Sequence, residues 1–179
     1  MTATVTPTLL HGDVAVGDLL PELTYEVSAT TVVLGALASR DWRPMHHDKD
    51  FAVNRNGTQD IFLNTPNQAA WFERYLTDWT GPHGRLGRVT FRMLGSVFPG
   101  DTMKMTGVVE QTAVDETGCG FVTVAVTLAV DGDAKTTCWA HIALPRTPDD
   151  NPWARRGEGW RPSPAATRRP IPSPNDGGN

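Results

Sequence analysis

Cysteine is scarce in this 179-residue chain, which has only Cys119 and Cys138. Two thiols in strand-like segments suit a reduced interior better than a disulfide framework. Long apolar runs are missing as well, and none approaches the ~18 residues that a membrane-crossing helix needs. The N-terminus, MTATVTPTLLHGD, has neither a basic region nor an apolar core of leader type, so the expected compartment is the cytoplasm. A basic face is also lacking. The net charge is −4, and the six arginines of residues 146–179 are diluted by four acids there, which leaves residues 1–145 acidic. That balance argues against nucleic acid as a partner. Neither an H-x-x-x-H nor a C-x-x-C spacing occurs, so no metal site is expected.

Apolar periodicity fails beyond residue 145, where seven of the 14 prolines lie. Such a stretch cannot build its own core. The expected organisation is an N-terminal arm (1–13), one globular domain (14–145) and a Pro/Arg-rich tail (146–179). Trp153 and Trp160 are the tail's candidate anchors on a partner.

Within the domain a short strand is expected around Leu23–Val27. A helix then follows, capped by Ser28 or Thr30, with Val32, Val33, Ala36 and Leu37 on one face. KDFAVNRNG reads as a short helix that starts after Asp48 and stops at Gly57. TPNQAAWFERYLTDWTGP carries the longest helical pattern. Thr65 is its expected N-cap, Pro66 its first position, Gly81-Pro82 its end, and Ala69, Phe72, Tyr75, Leu76 and Trp79 its buried stripe. The rest alternates as β: RVTFRMLG, then TMKMTGVVEQTAV after the turn FPGD, then two strands flanking DGDA. One long helix wrapped by a curved antiparallel sheet gives an α+β domain.

RDWRPMHHDKDFA (40–52) holds the chemistry. Asp41 and His46 are five residues apart, with Pro44 turning the chain out of the first helix. A carboxylate and an imidazole at this spacing can share one small site and handle a water and a carbon-bound proton near neutral pH. From spacing alone, a polar turn without chemistry stands beside that reading. His46-His47 as a metal pair is disfavoured because adjacent side chains in a turn diverge. Asp48 is a helix cap in either case.

The stretch D-W-R-P-M-H-H-D-K-D-F-A resembles the hydratase motif of the MaoC-like enoyl-CoA hydratases, D-x-N-P-hydrophobic-H-x-D-P-x-x-A. Asp41, Pro44, Met45, His46, Asp48 and Ala52 match it in register. VGD (16–18) with LPEL, the long helix, and PGD (99–101) opening a strand follow in family order. The resemblance runs over residues 14–145 and implies a hot-dog fold. It is strongest toward the small MaoC-like subunits of actinobacterial steroid side-chain degradation, which pair with a second hot-dog subunit. It implies hydration of a trans-2-enoyl thioester, or the reverse dehydration, with Asp41 and His46 as the acid–base pair. Acyl-CoA would be the substrate, without a further cofactor, and a homodimer or heteromer the working form. For the thioester carbonyl the expected contacts are the amide of Asn64 or Thr65 at the start of the long helix, the Asn64 side chain, or the partner subunit, and Arg43 and His47 flank the pair as further substrate contacts.

This chain departs from the pattern at Arg40, where the family has glycine, and at Arg43, where it has asparagine. Leu63-Asn64 stands in place of a His-Gly pair. Two alternatives therefore stay open: a non-catalytic scaffold subunit, and a hot-dog thioesterase with Glu73 as its carboxylate.

Overall fold

A computed structural model describes residues 8–162. Residues 1–7 of the expected arm and 163–179 of the expected tail lie outside the described residues. In chain order the elements are β1 (Leu19–Glu26), α1 (Ala29–Ala38), α2 (Lys49–Asn54), α3 (Thr65–Thr80), β2 (Arg85–Met93), β3 (Thr102–Val114), β4 (Gly120–Val130) and β5 (Asp133–Leu144).

The strands form one antiparallel sheet in the order β1-β3-β4-β5-β2. β3, β4 and β5 are a meander. Its last turn is Asp131-Gly132, both at positive φ (51° and 86°), the geometry in which a two-residue hairpin matches strand twist. β2 does not join the meander at β3. It lies at the far edge against β5, with Arg85 opposite Ala143 and Met93 opposite Thr136. Register shifts in all four ladders, such as that between Leu86 and Arg88, bend the strands and let the sheet curl. Alternate residues of β4, from Val122 to Val130, pack with Phe72, Tyr75 and Leu76 of α3 in one core. This is the hot-dog arrangement: a long helix held in a curled antiparallel sheet.

Local chemistry explains the element ends. Ser28 caps α1 by accepting from the Thr31 amide at 3.0 Å, and Asp48 caps α2 through Phe51. The cap of α3 is Asn64 rather than Thr65, one residue earlier than the helical pattern suggests. Val32 and Ala36 of α1 are fully buried, but Leu37 is 41% exposed, so the buried stripe is narrower than its spacing predicts.

Residues 146–162 fold back over the outer face of the sheet in two short 3-10 turns, Pro152–Ala154 and Gly157–Gly159. The Arg85 guanidinium lies over both tail tryptophans, 5.4 Å from the Trp153 ring and 3.5 Å from the Trp160 ring. It donates to the carbonyls of Pro152 and Arg155. Trp160 in turn packs on Phe121, which is buried with Cys119 and Ala143. Trp153 and Trp160 thus anchor on this chain's own domain. Cys119 and Cys138 are buried and unbridged.

Candidate active site

α1 ends in a way that fixes Asp41. The Arg40 amide donates to the Leu37 carbonyl and the Asp41 amide to the Ala36 carbonyl, the paired bonds of a helix terminus closed through a left-handed residue. Arg40 occupies that left-handed position at φ 55°, a conformation that glycine adopts more readily. The chain then turns at Pro44 into a 3-10 turn, Pro44–His46, which delivers His46.

His46 is buried, and its Nδ1 lies 2.8 Å from the Phe62 carbonyl. A carbonyl only accepts, so Nδ1 carries the proton and neutral His46 presents the Nε2 lone pair to the other side. The Phe62 ring meets the imidazole edge-on at 4.7 Å and holds its plane. Nε2 faces Asp41 Oδ2 at 3.6 Å. That is too long for a direct hydrogen bond, and two acceptors face each other across it.

Asp41 is heavily bonded. Arg43 grips it in a fork, Nε to Oδ1 and Nη2 to Oδ2, each at 2.9 Å. The Arg43 amide adds a longer bond to Oδ1, and Asn64 Nδ2 donates to Oδ2 at 3.0 Å. The Arg43 hydrogen bond, helped by Asn64 and opposed by desolvation, holds this carboxyl well below the usual carboxylate range. Asn64 links three elements: Nδ2 also donates to Ser39 Oγ at the end of α1, and Oδ1 caps α3 through the Asn67 amide. With those bonds made, the Asn64 side chain is fully engaged.

A cleft of about 370 Å³ opens beside the pair, lined by Arg43, Met45 and His46, by Phe62–Thr65, by Gln68, and by 93–96 at the end of β2. It therefore gathers His46, Arg43, Asn64 and Thr65, while Asp41 lies outside the lining, bonded to Arg43 and Asn64 at 2.9–3.0 Å. His47 is not brought in. It is exposed, with Nε2 3.3 Å from the Trp42 carbonyl. Glu73 of α3 is exposed and also absent from the cleft wall. A larger groove of about 510 Å³ between α1 and α3 contains neither Asp41 nor His46. Among the described residues no three His, Cys, Asp or Glu side chains gather in a way that could hold a metal ion.

Gln68 was not among the sequence candidates. It is buried, accepts from Thr136 Oγ1 at 2.6 Å and reaches the Leu63 carbonyl at 3.4 Å. The clue was its place four residues before Phe72, on the buried stripe of α3, where a glutamine needs specific partners.

The family model described as MaoC like domain matches residues 15–130. The chain belongs to the MaoC-like family. Its class of chemistry is accordingly that of the hydratases and dehydratases. Over 111 residues, 62% of this chain and 81% of the relative, it is 39% identical to the 3-oxo-4,17-pregnadiene-20-carboxyl-CoA hydratase beta subunit of Mycobacterium tuberculosis (strain ATCC 25618 / H37Rv). Among solved structures, the ChsH1-ChsH2 complex from Mycobacterium tuberculosis contains a chain similar to this MaoC-like protein. The two are 32% identical with a TM-score of 0.66, covering 73% of this chain and 98% of that one. The MaoC-like dehydratase from Rhodospirillum rubrum shares the fold at 20% identity, with a TM-score of 0.69 over 78% of this chain and 99% of that one.

Proposed function

We propose that this MaoC-like chain is the acid–base subunit of an enzyme that adds water across a trans-2-enoyl-CoA, or removes it in reverse, with Asp41 and His46 as the pair. The observation that carries the reading is the 3.6 Å approach of Nε2 to Oδ2 beside a cleft, with the imidazole tautomer set by Phe62. A water in that gap can donate to the Nε2 lone pair while it lies in the field of the Asp41 carboxylate. Removing a proton from this water lets its oxygen bond to Cβ. The C=C electrons move onto the thioester oxygen, and protonation at Cα restores the carbonyl. One water thus supplies both the OH and the H that are added.

The enolate charge needs a donor where it develops. In the first turn of α3, Pro66 has no N–H and the Asn67 amide is taken by Asn64 Oδ1. The Thr65 amide is left at the helix's positive end, on the cleft wall, and is our candidate for the carbonyl. In this reading the thioester is the only small molecule required besides water.

The similarity to the pregnadiene-carboxyl-CoA hydratase subunit favours an acyl group on a steroid side chain. The similarity to one chain of the ChsH1-ChsH2 complex favours a second hot-dog subunit as partner. The test is loss of the conjugated-thioester absorbance with medium-chain and steroid side-chain 2-enoyl-CoA, with and without the co-purifying partner. Asp41→Asn and His46→Ala should each lower kcat/KM by about 100-fold or more while remaining folded. The scaffold reading draws support from the Arg43 fork on Asp41. Undiminished activity in both variants would establish it and place the chemistry on the partner.

A further inference from the structure

Every lone-pair direction of Asp41 has a donor in this structure: two from the Arg43 side chain, one from its amide, and one from Asn64. A carboxylate so occupied is a poor proton acceptor, because taking a proton means breaking one arm of a charge-assisted fork. His46 is the opposite case. Its Nδ1 proton is spent on Phe62, and among the described residues no group donates to its Nε2 lone pair.

From this asymmetry we infer that Arg43 divides the labour of the pair. By forking both oxygens of Asp41 it keeps that residue a fixed anion, and His46 alone takes the proton from water and returns it to Cα. The inference rests on the hydratase reading and deepens it. Nε2 removes a proton from water, the oxygen bonds to Cβ, and the electron pair of the double bond moves to the thioester oxygen. The Nε2 proton is then delivered to Cα as the carbonyl re-forms, and His46 returns to its starting tautomer. Asp41 stabilises the transient imidazolium across 3.6 Å. Arg43 acts through Asp41 and is a positioning residue. It lies at the cleft mouth, with its side chain 64% exposed against 9% for Asp41, so its substitution leaves the core untouched.

The groups that face the imidazole are the Asp41 carboxylate from the end of α1, with Arg43 behind it, and Phe62 from the approach to α3. Two measurements on the enzyme with its co-purified partner test the division. The first is kcat/KM for Asp41→Asn, Arg43→Asn and the double variant. Asp41→Asn strands a guanidinium beside the imidazole and disfavours its protonation, so removing Arg43 as well should recover at least tenfold of the lost activity. If Asp41 is the proton acceptor, the double variant stays as inactive as Asp41→Asn, and the inference fails while the hydratase reading stands. The second is the NMR titration of His46. Arg43→Asn leaves the Asp41 charge uncompensated, so the midpoint should move to higher pH, and Arg43→Lys should return it part of the way. An unmoved midpoint overturns the role of Arg43 whatever the turnover. Absence of turnover with every wild-type mixture and thioester would remove the hydratase reading, and this inference with it.

Discussion

Arg40 sits at φ 55° because the two hydrogen bonds that close α1 leave the chain no other exit toward Asp41. A β-carbon in that region is disfavoured by about 1–2 kcal/mol, and glycine's looser unfolded chain offsets part of this. Arg40→Gly should therefore raise the urea midpoint by the equivalent of up to about 1 kcal/mol, with Asp41 kept in place. His141 makes a prediction in pH. It is buried on the outer face of the sheet, stacked on Phe121 at 4.5 Å, with Nδ1 3.2 Å from Thr123 Oγ1 and, among the described residues, no partner for Nε2. Burial pushes its imidazole below the ordinary 6.5, opposed by the Asp115 charge. The folded chain thus binds the proton less readily than the unfolded one. Its contribution is fully present above about 6.5 and is lost as the pH falls below that value. The thermal midpoint should drop between pH 7.5 and 5.5, and His141→Gln should flatten the drop.

Helix packing sets the geometry that the site inherits. A Cβ on Gly35 of α1 would fall 1.8 Å from Asn67 Nδ2 on α3 and 3.0 Å from its Cβ, so the Asn67 side chain packs directly on the α1 backbone there. Asn67 also spans the gap by donating to the Thr31 carbonyl. Gly35→Ala should destabilise by about 1–2 kcal/mol, because overpacking outweighs the helix propensity it adds. Chemical denaturation would read this, and a gain in stability would mean that the helices separate freely. α3 was legible in the sequence because Phe72, Tyr75 and Leu76 repeat at helical spacing. Its cap was not, since Asn64 and Thr65 are both good caps. What decides for Asn64 is its second set of partners, Ser39 and Asp41, which lie 25 and 23 residues away in the chain. Asp41 and His46 were visible as a motif, but the Arg43 fork is a rotamer choice that no spacing encodes.

At the scale of the whole chain, alternation revealed strands but not their neighbours. Nothing within Arg85–Met93 says that it pairs with β5 rather than β3. The 146–162 segment looked coreless because its apolar contribution is two isolated tryptophans whose partners, Arg85 and Phe121, belong to the sheet. Trp160→Ala should cost about 1–3 kcal/mol in unfolding free energy. It should also raise the solvent accessibility of Cys119, measurable as faster thiol labelling. An unchanged stability would mean that the outer face does not depend on this cover. The sheet order carries one more consequence, for birth of the protein on the ribosome. β1 waits for β3, and Leu19 pairs with Val108; β2 waits for β5, and Arg85 pairs with Ala143. α3 and its apolar stripe emerge long before the strands that cover them. Until nearly the whole domain has been made, the nascent chain can only hold its central helix unwrapped, in the interval when chaperones have most to shield.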